Sequence, residues 1–406
     1  MSDSPEGRFV ALDRLRALAV LLMIQGHAFF ELLDPTATTG AWYRLHKLVH
    51  GLTAPMFLMG AGLAFGITTY PRWQAFRAGG TEHRARLRRY ALIVLLGYAL
   101  QLPGHSLRSL GSPSPEVWRT ILAVGPLQLI GVTLFFAQLG TRVFPTPRWH
   151  ALGALTLGLV VMLVAPFAWN VAPASLDLPG VQAFLNGRTR SQFPAFPWAA
   201  FVLGALALSV ACTSARTARW LRSGPHWAMA GMVACGVTYA LYRARVNPYG
   251  EHDFWHSSPL YTVFRAGGVA LFLALASVLA SRPGKLDRAL AILARHSLLA
   301  YVAHLLLLYG SFPVPGMVHV LGRGTLGIEA ATLASLGLIV ATVGVIVAWR
   351  HIQHTGLIPN GFERLTRLSS GWHTARATLR AWTKSETHVT ERNGVHGSVS
   401  PAPRSS

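Results

Sequence analysis

The chain has 406 residues, of which 52% are apolar and 13% are charged, about half the charged share of roughly 25% that is usual in soluble domains. Its mean hydropathy of +0.39 excludes an intrinsically disordered chain and argues against a soluble enzyme with an ordinary charged surface. Only two cysteines occur, which excludes a disulfide framework and a cysteine metal cluster.

Ten apolar segments approach the length of about 20 residues that crosses a membrane as a helix, although the third and the seventh are short. They lack the period-2 alternation of a membrane β-barrel, so all of them are predicted to be helices. In chain order, the predicted spans are Phe9–Leu33, Val49–Thr69, Tyr90–Pro103, Val117–Leu139, Ala151–Trp169, Pro194–Cys212, His226–Leu241, Leu260–Ala280, Ala289–Tyr309 and Leu326–Trp349.

Basic residues indicate how these spans are oriented. With the N-terminus in the cytoplasm, 26 lysines and arginines fall on cytoplasmic segments and 9 on the opposite side, as the positive-inside rule requires. The sequence therefore predicts an all-α polytopic protein of the cell membrane (the inner or plasma membrane), a bundle of about ten transmembrane helices with cytoplasmic N- and C-termini. The formal charge of +21 then lies beside anionic membrane lipid. Nucleic acid is not an expected partner, because the arginines are scattered over loops.

Two regions are predicted, a transmembrane domain over residues 1–350 and a basic cytoplasmic tail over residues 351–406. The tail has apolar residues at helical spacing between arginines, which is typical of an amphipathic helix at a membrane surface. These residues are Leu365, Leu368, Trp372, Leu379 and Trp382. Beyond Thr383, the Ser-, Thr-, Pro- and Gly-rich composition predicts disorder.

The first span carries ionisable residues that the hydrocarbon core of a membrane rarely tolerates. Arg16 and His27 are 11 residues apart, which places them about 20° apart around a helix and about 16 Å apart along it. Asp13, Glu31 and Asp34 fall near the same stripe. A neutral imidazole at this depth can accept a proton, and a carboxylate one turn away can orient it. The alternative is that Asp13 and Arg16 are interface anchors and His27 is a hydrogen-bonded core histidine.

The spacing of Arg16 and His27 is an Arg-x10-His signature that resembles the membrane acyltransferase-3 superfamily, and Leu12–Ala19 is similar to the opening of its first span. The segment Gly51–Gly62 is similar to the second span of relatives of heparan-α-glucosaminide N-acetyltransferase within that superfamily. Further stretches that resemble this group are Pro126–Gly131, Gln192–Trp198, Asp253–Trp255 with Ser258–Pro259, and Ser297–His304. The resemblance extends over about residues 8–350, nearly the whole predicted membrane domain.

This resemblance implies an acyltransferase that moves an acyl group, with acetyl expected, from cytoplasmic acyl-CoA to a hydroxyl or amine of an envelope glycan or glycolipid. His27 is then the candidate base, and Arg16 and Asp13 complete the catalytic candidates. No bound cofactor is expected, because acyl-CoA is a co-substrate. Four loop arginines suit the phosphates of CoA, although positive-inside topology also explains them. They are Arg84, Arg86, Arg88 and Arg89.

Five residues are candidates for the acceptor side, namely His50, Asp253, Arg265, Tyr301 and His304. Tyr301 and His304 are one turn apart, so they share a helix face and serve either the substrate pocket or a packed hydrogen bond. Arg265 lies inside a predicted span and needs a partner, which is Asp253, Glu251 or the substrate. The aromatic and polar residues around Asp253 suit a sugar, although interfacial aromatics are routine in membrane proteins.

Other site chemistries find little support in the sequence. His46 and His50 have the i, i+4 spacing of zinc ligands, but no third ligand lies at a matching offset. We therefore predict no metal site, and interpret the pair as a polar rim near the acceptor. Gly62 and Gly66 are interpreted as a helix-packing motif. The alternative function is a transporter that uses the stripe on the first span as a proton or substrate path, but the inverted repeats that it favours are not evident.

Overall fold

A computed structural model describes residues 9–102, 114–171, 179–280, 284–311 and 313–355. The predicted amphipathic helix and the predicted disordered end of the tail both lie beyond residue 355, outside the described residues. The predicted division of the chain at residue 350 therefore stays a prediction.

The described residues form a helical bundle with one very short hairpin. The helices are α1 (Val10–Leu32), α2 (Gly40–His50), α3 (Thr53–Thr69), α4 (Trp73–Arg77), α5 (Thr81–Leu100), α6 (Pro115–Leu122), α7 (Pro126–Val143), α8 (Pro147–Asn170), α9 (Pro179–Leu185), α10 (Ala195–Leu208), α11 (Ala215–Leu221), α12 (Gly224–Arg243), α13 (Phe254–Ser257), α14 (Pro259–Ala280), α15 (Lys285–Arg295), α16 (Ser297–Tyr309), α17 (Met317–Leu321) and α18 (Ile328–His354). The hairpin pairs β1 (Gly310–Ser311) with β2 (Val314–Pro315) in antiparallel register. Short 3₁₀ turns occupy Pro35–Ala37, Tyr70–Arg72, Gly187–Thr189 and Ser209–Thr213.

Six helical stretches in the described part of the chain are long and apolar enough to cross a membrane, or eight if each of two bent helix pairs is one span. The six are Val10–Leu32, Gly40–Arg77, Pro147–Asn170, Ala195–Thr213, Pro259–Ala280 and Ile328–Gln353. An all-α, multi-pass membrane protein is therefore confirmed. The remaining two predicted spans are the helices α5 and α12, which are not among these six or eight. Ten spans and cytoplasmic termini stay predictions.

Two of the predicted spans are bent, where the sequence predicted single segments. The segment predicted over Val117–Leu139 consists of α6 and α7, which meet at 51° where Gly125 and Pro126 begin the second helix. Proline at the first helical position favours such a new start, because its missing N–H has no partner there anyway. The segment predicted over Ala289–Tyr309 consists of α15 and α16, which meet at 81° around His296. Both helices of this pair pack against α1.

Helix α1 runs through the centre of the bundle and packs against α3, α14, α15, α16 and α18. Leu12, Leu15, Ala17 and Val20 are fully buried on different sides of it, so neighbouring helices surround this part of α1. A partly buried ion pair between Arg14 and Asp287 joins α1 to α15. Because α1 is enclosed, its polar residues face neighbouring helices.

Gly62 and Gly66 allow α3 to approach α10 and the turn that follows it, which confirms the helix-packing motif. A Cβ atom at Gly62 would lie 2.1 Å from the carbonyl oxygen of Val202 and 2.9 Å from the backbone nitrogen of Leu206. A Cβ atom at Gly66 would overlap the Ser209 hydroxyl. Small residues of this kind let membrane helices pack by backbone contact.

We expect Gly62→Ala to lower the free energy of unfolding by about 1–3 kcal/mol, because backbone atoms cannot move aside as a side chain can. The measurement is the melting temperature of the detergent-solubilised protein. Gly344→Ala on α18 is the matched control, since a Cβ atom there meets nothing within 4 Å. Equal melting temperatures for the two variants would contradict the close approach of α3 and α10.

Candidate active site

His27 lies five residues before the end of α1, about 8 Å below it along the helix axis. Its side chain is half-buried, and its Nδ1 atom lies 3.0 Å from Nε2 of His304 on α16. The two rings stack with centroids 5.2 Å apart. The structure therefore brings together the candidate base and an acceptor-side candidate that lies 277 positions later in the chain.

The hydrogen bonds around His304 determine where the protons lie on both rings. His304 is fully buried, and its Nδ1 atom is 2.9 Å from the carbonyl oxygen of Ala300. A carbonyl can only accept, so Nδ1 of His304 carries the hydrogen and Nε2 of a neutral ring is an acceptor. His27 must then donate through its Nδ1–H. Nε2 of His27 is left with a lone pair, which is the requirement for a base or a nucleophile.

Two imidazoles of α2 extend this pair toward the surface. The ring of His50 meets that of His27 edge-on at a centroid distance of 5.9 Å, and His46 stacks on His50 at 6.1 Å with an interplanar angle of 6°. A Cβ atom at Gly26 would lie 1.8 Å from Nδ1 of His50, so the absence of a side chain at Gly26 lets the His50 ring pack against α1. We call His304, His27, His50 and His46 the imidazole file.

Tyr301 and Glu31, two other polar residues near the end of α1, have partners other than the His27 ring. Tyr301 is one turn before His304, and its ring contacts that of His304 at 5.7 Å. Glu31 was expected to orient His27, but its carboxylate accepts a hydrogen bond from the Tyr309 hydroxyl at 3.0 Å and pairs with Arg323 at 3.1 Å. The group that orients the His27 ring is therefore the His304 imidazole.

The predicted arginines lie at the opposite end of α1, which we call the arginine end. Arg16 lies beside Gly60 of α3 and within electrostatic range of Asp13 and of Arg89 on α5. Asp13 is buried, and 14 residues separate it from His27, about 21 Å along the helix. The structure thus places Asp13 where it can act on Arg16 and out of reach of the His27 ring.

The four predicted CoA-binding arginines divide into three kinds. Arg86 donates to the Thr69 hydroxyl at 2.6 Å, and its guanidinium lies 4.0 Å from the centre of the Phe76 ring, so it ties α5 to the end of α3. Arg84 and Arg88 are exposed on α5. Arg89 is the one of the four that interacts with Arg16.

Arg265 of α14 stacks against aromatic rings, and Asp253 does not pair with it. Its guanidinium carbon lies 4.1 Å from the ring centre of Tyr261 and 4.8 Å from that of Trp198 on α10, an arrangement typical of cation–π contacts. Buried N–H groups on both Arg265 (Nε) and Trp198 (Nε1) find no hydrogen-bond partner among the described residues. Two unsatisfied buried donors beside a cation suit a ligand that carries oxygen acceptors.

A pair of glutamines, of which Gln128 is buried and Gln101 half-buried, is linked to these rings through Phe193. Phe193 contacts Trp198 ring to ring at 4.8 Å and donates its backbone N–H to the carbonyl oxygen of Val124. Next to Val124, Oε1 of Gln101 and Nε2 of Gln128 are also buried without a partner among the described residues. We call Gln101, Gln128, Trp198 and Arg265 the unsatisfied polar cluster.

A contact between α14 and the residues after α2 relates the unsatisfied polar cluster to the imidazole file. Gly268, one turn after Arg265 on α14, faces the side chain of Leu52. Leu52 follows His50 by two residues. Both groups of polar residues therefore lie toward the same end of the bundle, which we call the α2 end.

Asp253 acts as a helix cap at this end. Its Oδ1 atom accepts hydrogen bonds from the backbone N–H groups of Trp255 and His256, and its Oδ2 atom lies 2.8 Å from Nδ1 of His256. Asp253 is exposed, as is Trp255, whose side chain is 57% accessible. The aromatic and polar surface that the sequence indicated is thus present, and Asp253 caps the short helix that carries it.

Within the part of the chain that the structure describes, no group of three or more His, Cys, Asp or Glu residues is arranged to hold a metal ion. Sequence reasoning paired His46 with His50 by spacing, but it did not place either beside His27. It also gave no site role to Gln101, Gln128 or Trp198. The sequence does contain a signal for these residues, because polar side chains inside apolar helices are functional candidates by default.

Comparison with known protein families finds a match to the family described as "Heparan-alpha-glucosaminide N-acetyltransferase, catalytic", over residues 8–242. This range contains His27, His50 and the four predicted CoA-binding arginines, and it ends before His304. A comparison with curated proteins finds no match.

Proposed function

Because the chain belongs to the heparan-alpha-glucosaminide N-acetyltransferase catalytic family, we propose that this membrane acetyltransferase moves an acetyl group from acetyl-CoA to an amine or hydroxyl of a glycan or glycolipid of the cell envelope. We also propose that the chain belongs to the wider membrane acyltransferase-3 superfamily, whose Arg-x10-His signature the spacing of Arg16 and His27 resembles. The observation that carries it is the His27–His304 pair, which leaves a lone pair on Nε2 of a half-buried imidazole.

The chemistry requires that the acceptor loses a proton as it attacks the thioester carbonyl. In one route, Nε2 of His27 takes this proton, the new N–C or O–C bond forms, the C–S bond breaks, and the departing CoA thiolate takes the proton from Nε2. In the other route, Nε2 itself attacks the thioester carbonyl, the C–S bond breaks and CoA leaves as its thiolate. The acceptor then displaces the imidazole from the acyl-histidine, and its proton neutralises the thiolate. His304 serves both routes, since it holds the His27 ring in one tautomer and one orientation.

The arginine end suits the donor. Arg16 and Arg89 lie close together there, and guanidinium groups match phosphate geometry. Asp13 positions Arg16 in this proposal. The rise of about 16 Å between Arg16 and His27 requires the pantetheine arm of acetyl-CoA to run along α1. Arg84 and Arg88 remain proposed as outer phosphate contacts, whereas Arg86 is engaged with Thr69.

The α2 end suits the acceptor. The unsatisfied polar cluster offers donors from Arg265, Trp198 and Gln128 and an acceptor from Gln101, which matches the hydroxyl and ring oxygens of a sugar. Exposed Trp255, held by the Asp253 cap, provides an aromatic face for stacking. We propose that His50 and Tyr301 line the acceptor site between this cluster and the His27–His304 pair.

The test of the proposed function is an acetylation assay on membranes from cells with and without the protein, supplied with labelled acetyl-CoA and a glucosamine glycoside. We expect labelled N-acetyl product only when the protein is present. Mass comparison of envelope glycans from the two cell types identifies the natural acceptor as the species that gains one acetyl group. Absence of any acetylated product in both measurements would contradict the proposal.

A further inference from the structure

We propose that a cavity at the arginine end of the bundle binds the phosphate group of an anionic phospholipid, with an acyl chain of that lipid lying along α8. The cavity has a volume of about 730 Å³ and lies between the first turns of α8 and the turn that follows α10. Its lining residues are Thr146, Pro147, Arg148, Trp149, Leu152 and Thr213. This site is independent of the proposed acetyl transfer.

The contacts of α3 place the cavity at the arginine end. Gly60 of α3 lies beside Arg16, and Gly66, further along α3, packs against the turn Ser209–Thr213 that borders the cavity. Trp149 in the cavity lining is 57% accessible. Exposed tryptophans of membrane proteins are typical of the membrane–water interface. The cavity therefore lies at the depth of the lipid headgroups.

The polar part of the cavity suits a phosphate group. Arg148 is exposed in the first turn of α8 and supplies a guanidinium, which matches the geometry of phosphate oxygens. The Thr146 hydroxyl oxygen accepts the backbone N–H of Trp149 at 3.4 Å, which leaves the hydroxyl hydrogen to donate to a phosphate oxygen.

The charge around the cavity favours an anionic headgroup over a zwitterionic one. No carboxylate is among the residues that line it. A second guanidinium, that of Arg222, lies within electrostatic range of Cys212, the residue before Thr213. The cation of a choline headgroup would therefore meet positive charge here without a carboxylate to balance it, whereas a headgroup with a net negative charge is attracted.

The apolar part of the cavity suits an acyl chain. Leu152 begins a row of exposed leucines on one face of α8, each 43% to 50% accessible, which we call the leucine row: Leu152, Leu155, Leu159 and Leu163. Its ends are 11 residues apart, a rise of about 16 Å. This is about half the ~30 Å thickness of the hydrocarbon core. A groove one leaflet long, leading away from a guanidinium, fits a phospholipid and not a free phosphate.

A second cavity, next to α4, provides a matched control. Its volume is about 330 Å³, and its lining residues are Gln74, Arg77, Ala78 and Arg142. Arg77 is exposed, as Arg148 is, but no leucine or tryptophan lines this cavity. Arg77→Gln and Arg148→Gln therefore remove the same charge from an exposed position, and Arg148→Gln alone changes the proposed lipid site.

The experiment titrates the detergent-solubilised protein with dioleoyl phosphatidylglycerol, and in parallel with dioleoyl phosphatidylcholine, and counts bound lipids by native mass spectrometry. We expect the first phosphatidylglycerol to bind about 10-fold more tightly than phosphatidylcholine. Arg148→Gln should lower the affinity for phosphatidylglycerol by about 10-fold, the loss expected for one hydrogen bond to a charged group, and Arg77→Gln should leave it unchanged. Excess glycerol 3-phosphate, which has no acyl chain, should not displace the lipid.

Equal losses for the two arginine variants would overturn the proposal, because the general positive charge of this end would then explain the binding. Displacement of the lipid by glycerol 3-phosphate would also overturn it, since it would show a phosphate site that makes no use of the leucine row. Equal affinity of the wild type for the two lipids would do the same without the use of any variant. The melting temperatures of both variants, measured without added lipid, verify that they are folded.

Discussion

His27→Ala is expected to reduce acetyl transfer by a factor of about 100 to 10,000, the range that a positioned acid–base group contributes. The reason is that Nε2 of His27 is the lone pair that the hydrogen bonds from His27 through His304 to Ala300 leave available. The measurement is the initial rate of labelled acetyl transfer by purified protein at saturating acetyl-CoA.

The control for this variant separates lost chemistry from lost structure. Truncation of His27 removes one ring from a half-buried position, so the yield and the melting temperature of the variant are measured alongside. His351→Ala, which removes an exposed histidine of α18, should retain the wild-type rate. Full activity of a stable His27→Ala protein would remove His27 from the mechanism.

His304→Leu is expected to reduce kcat by about 100-fold, and His304→Gln by only about 10-fold, if the main task of His304 is to accept the Nδ1–H of His27. Leucine fills similar space but leaves this buried donor without a partner, and it releases the ring to turn or to change tautomer. Glutamine has a side-chain oxygen that can accept the same hydrogen bond.

The two His304 variants are compared by kcat and by KM for acetyl-CoA. We expect KM to change little, because the predicted donor contacts lie at the arginine end. Equal losses for leucine and glutamine, or a loss that appears only in KM, would show that His304 acts by packing or by contact with the donor instead of by accepting from His27.

Most of the fold could be predicted from the sequence, because membrane helices are recognised by their length and apolar composition. The segment Phe9–Leu33 became α1 almost residue for residue. The bend of 81° at His296 was not predicted, since both halves of that segment are apolar and contain neither glycine nor proline at the break. Helix α5 fell short as a span because its first half carries four arginines.

The candidate site was predicted along one helix but not between helices. The spacing of Arg16 and His27 followed from the geometry of α1 alone. The His27–His304 hydrogen bond could not be predicted, because helical periodicity does not say which distant helix packs at which height. For the same reason Glu31 was assigned to His27, although Tyr309 and Arg323 engage it.

The partners of Arg265 could not be predicted either, because they too depend on contacts between helices. A buried guanidinium was expected to pair with a carboxylate, and Asp253 was the nearest candidate in sequence. The structure instead places Arg265 between two aromatic rings, while Asp253 caps its own short helix. Aromatic partners leave the Nε–H group of Arg265 without a hydrogen bond among the described residues, which a carboxylate partner would have prevented.

The most direct test of the central claim places the two substrates on opposite sides of a membrane. Purified protein is reconstituted into sealed vesicles, with labelled acetyl-CoA added outside and the glucosamine glycoside trapped inside. The account predicts labelled product inside the vesicles with the wild type and none above background with His27→Ala, because donor and acceptor reach His27 from opposite ends of α1. Product that forms only when both substrates are on the same side, or that forms equally with His27→Ala, would contradict it.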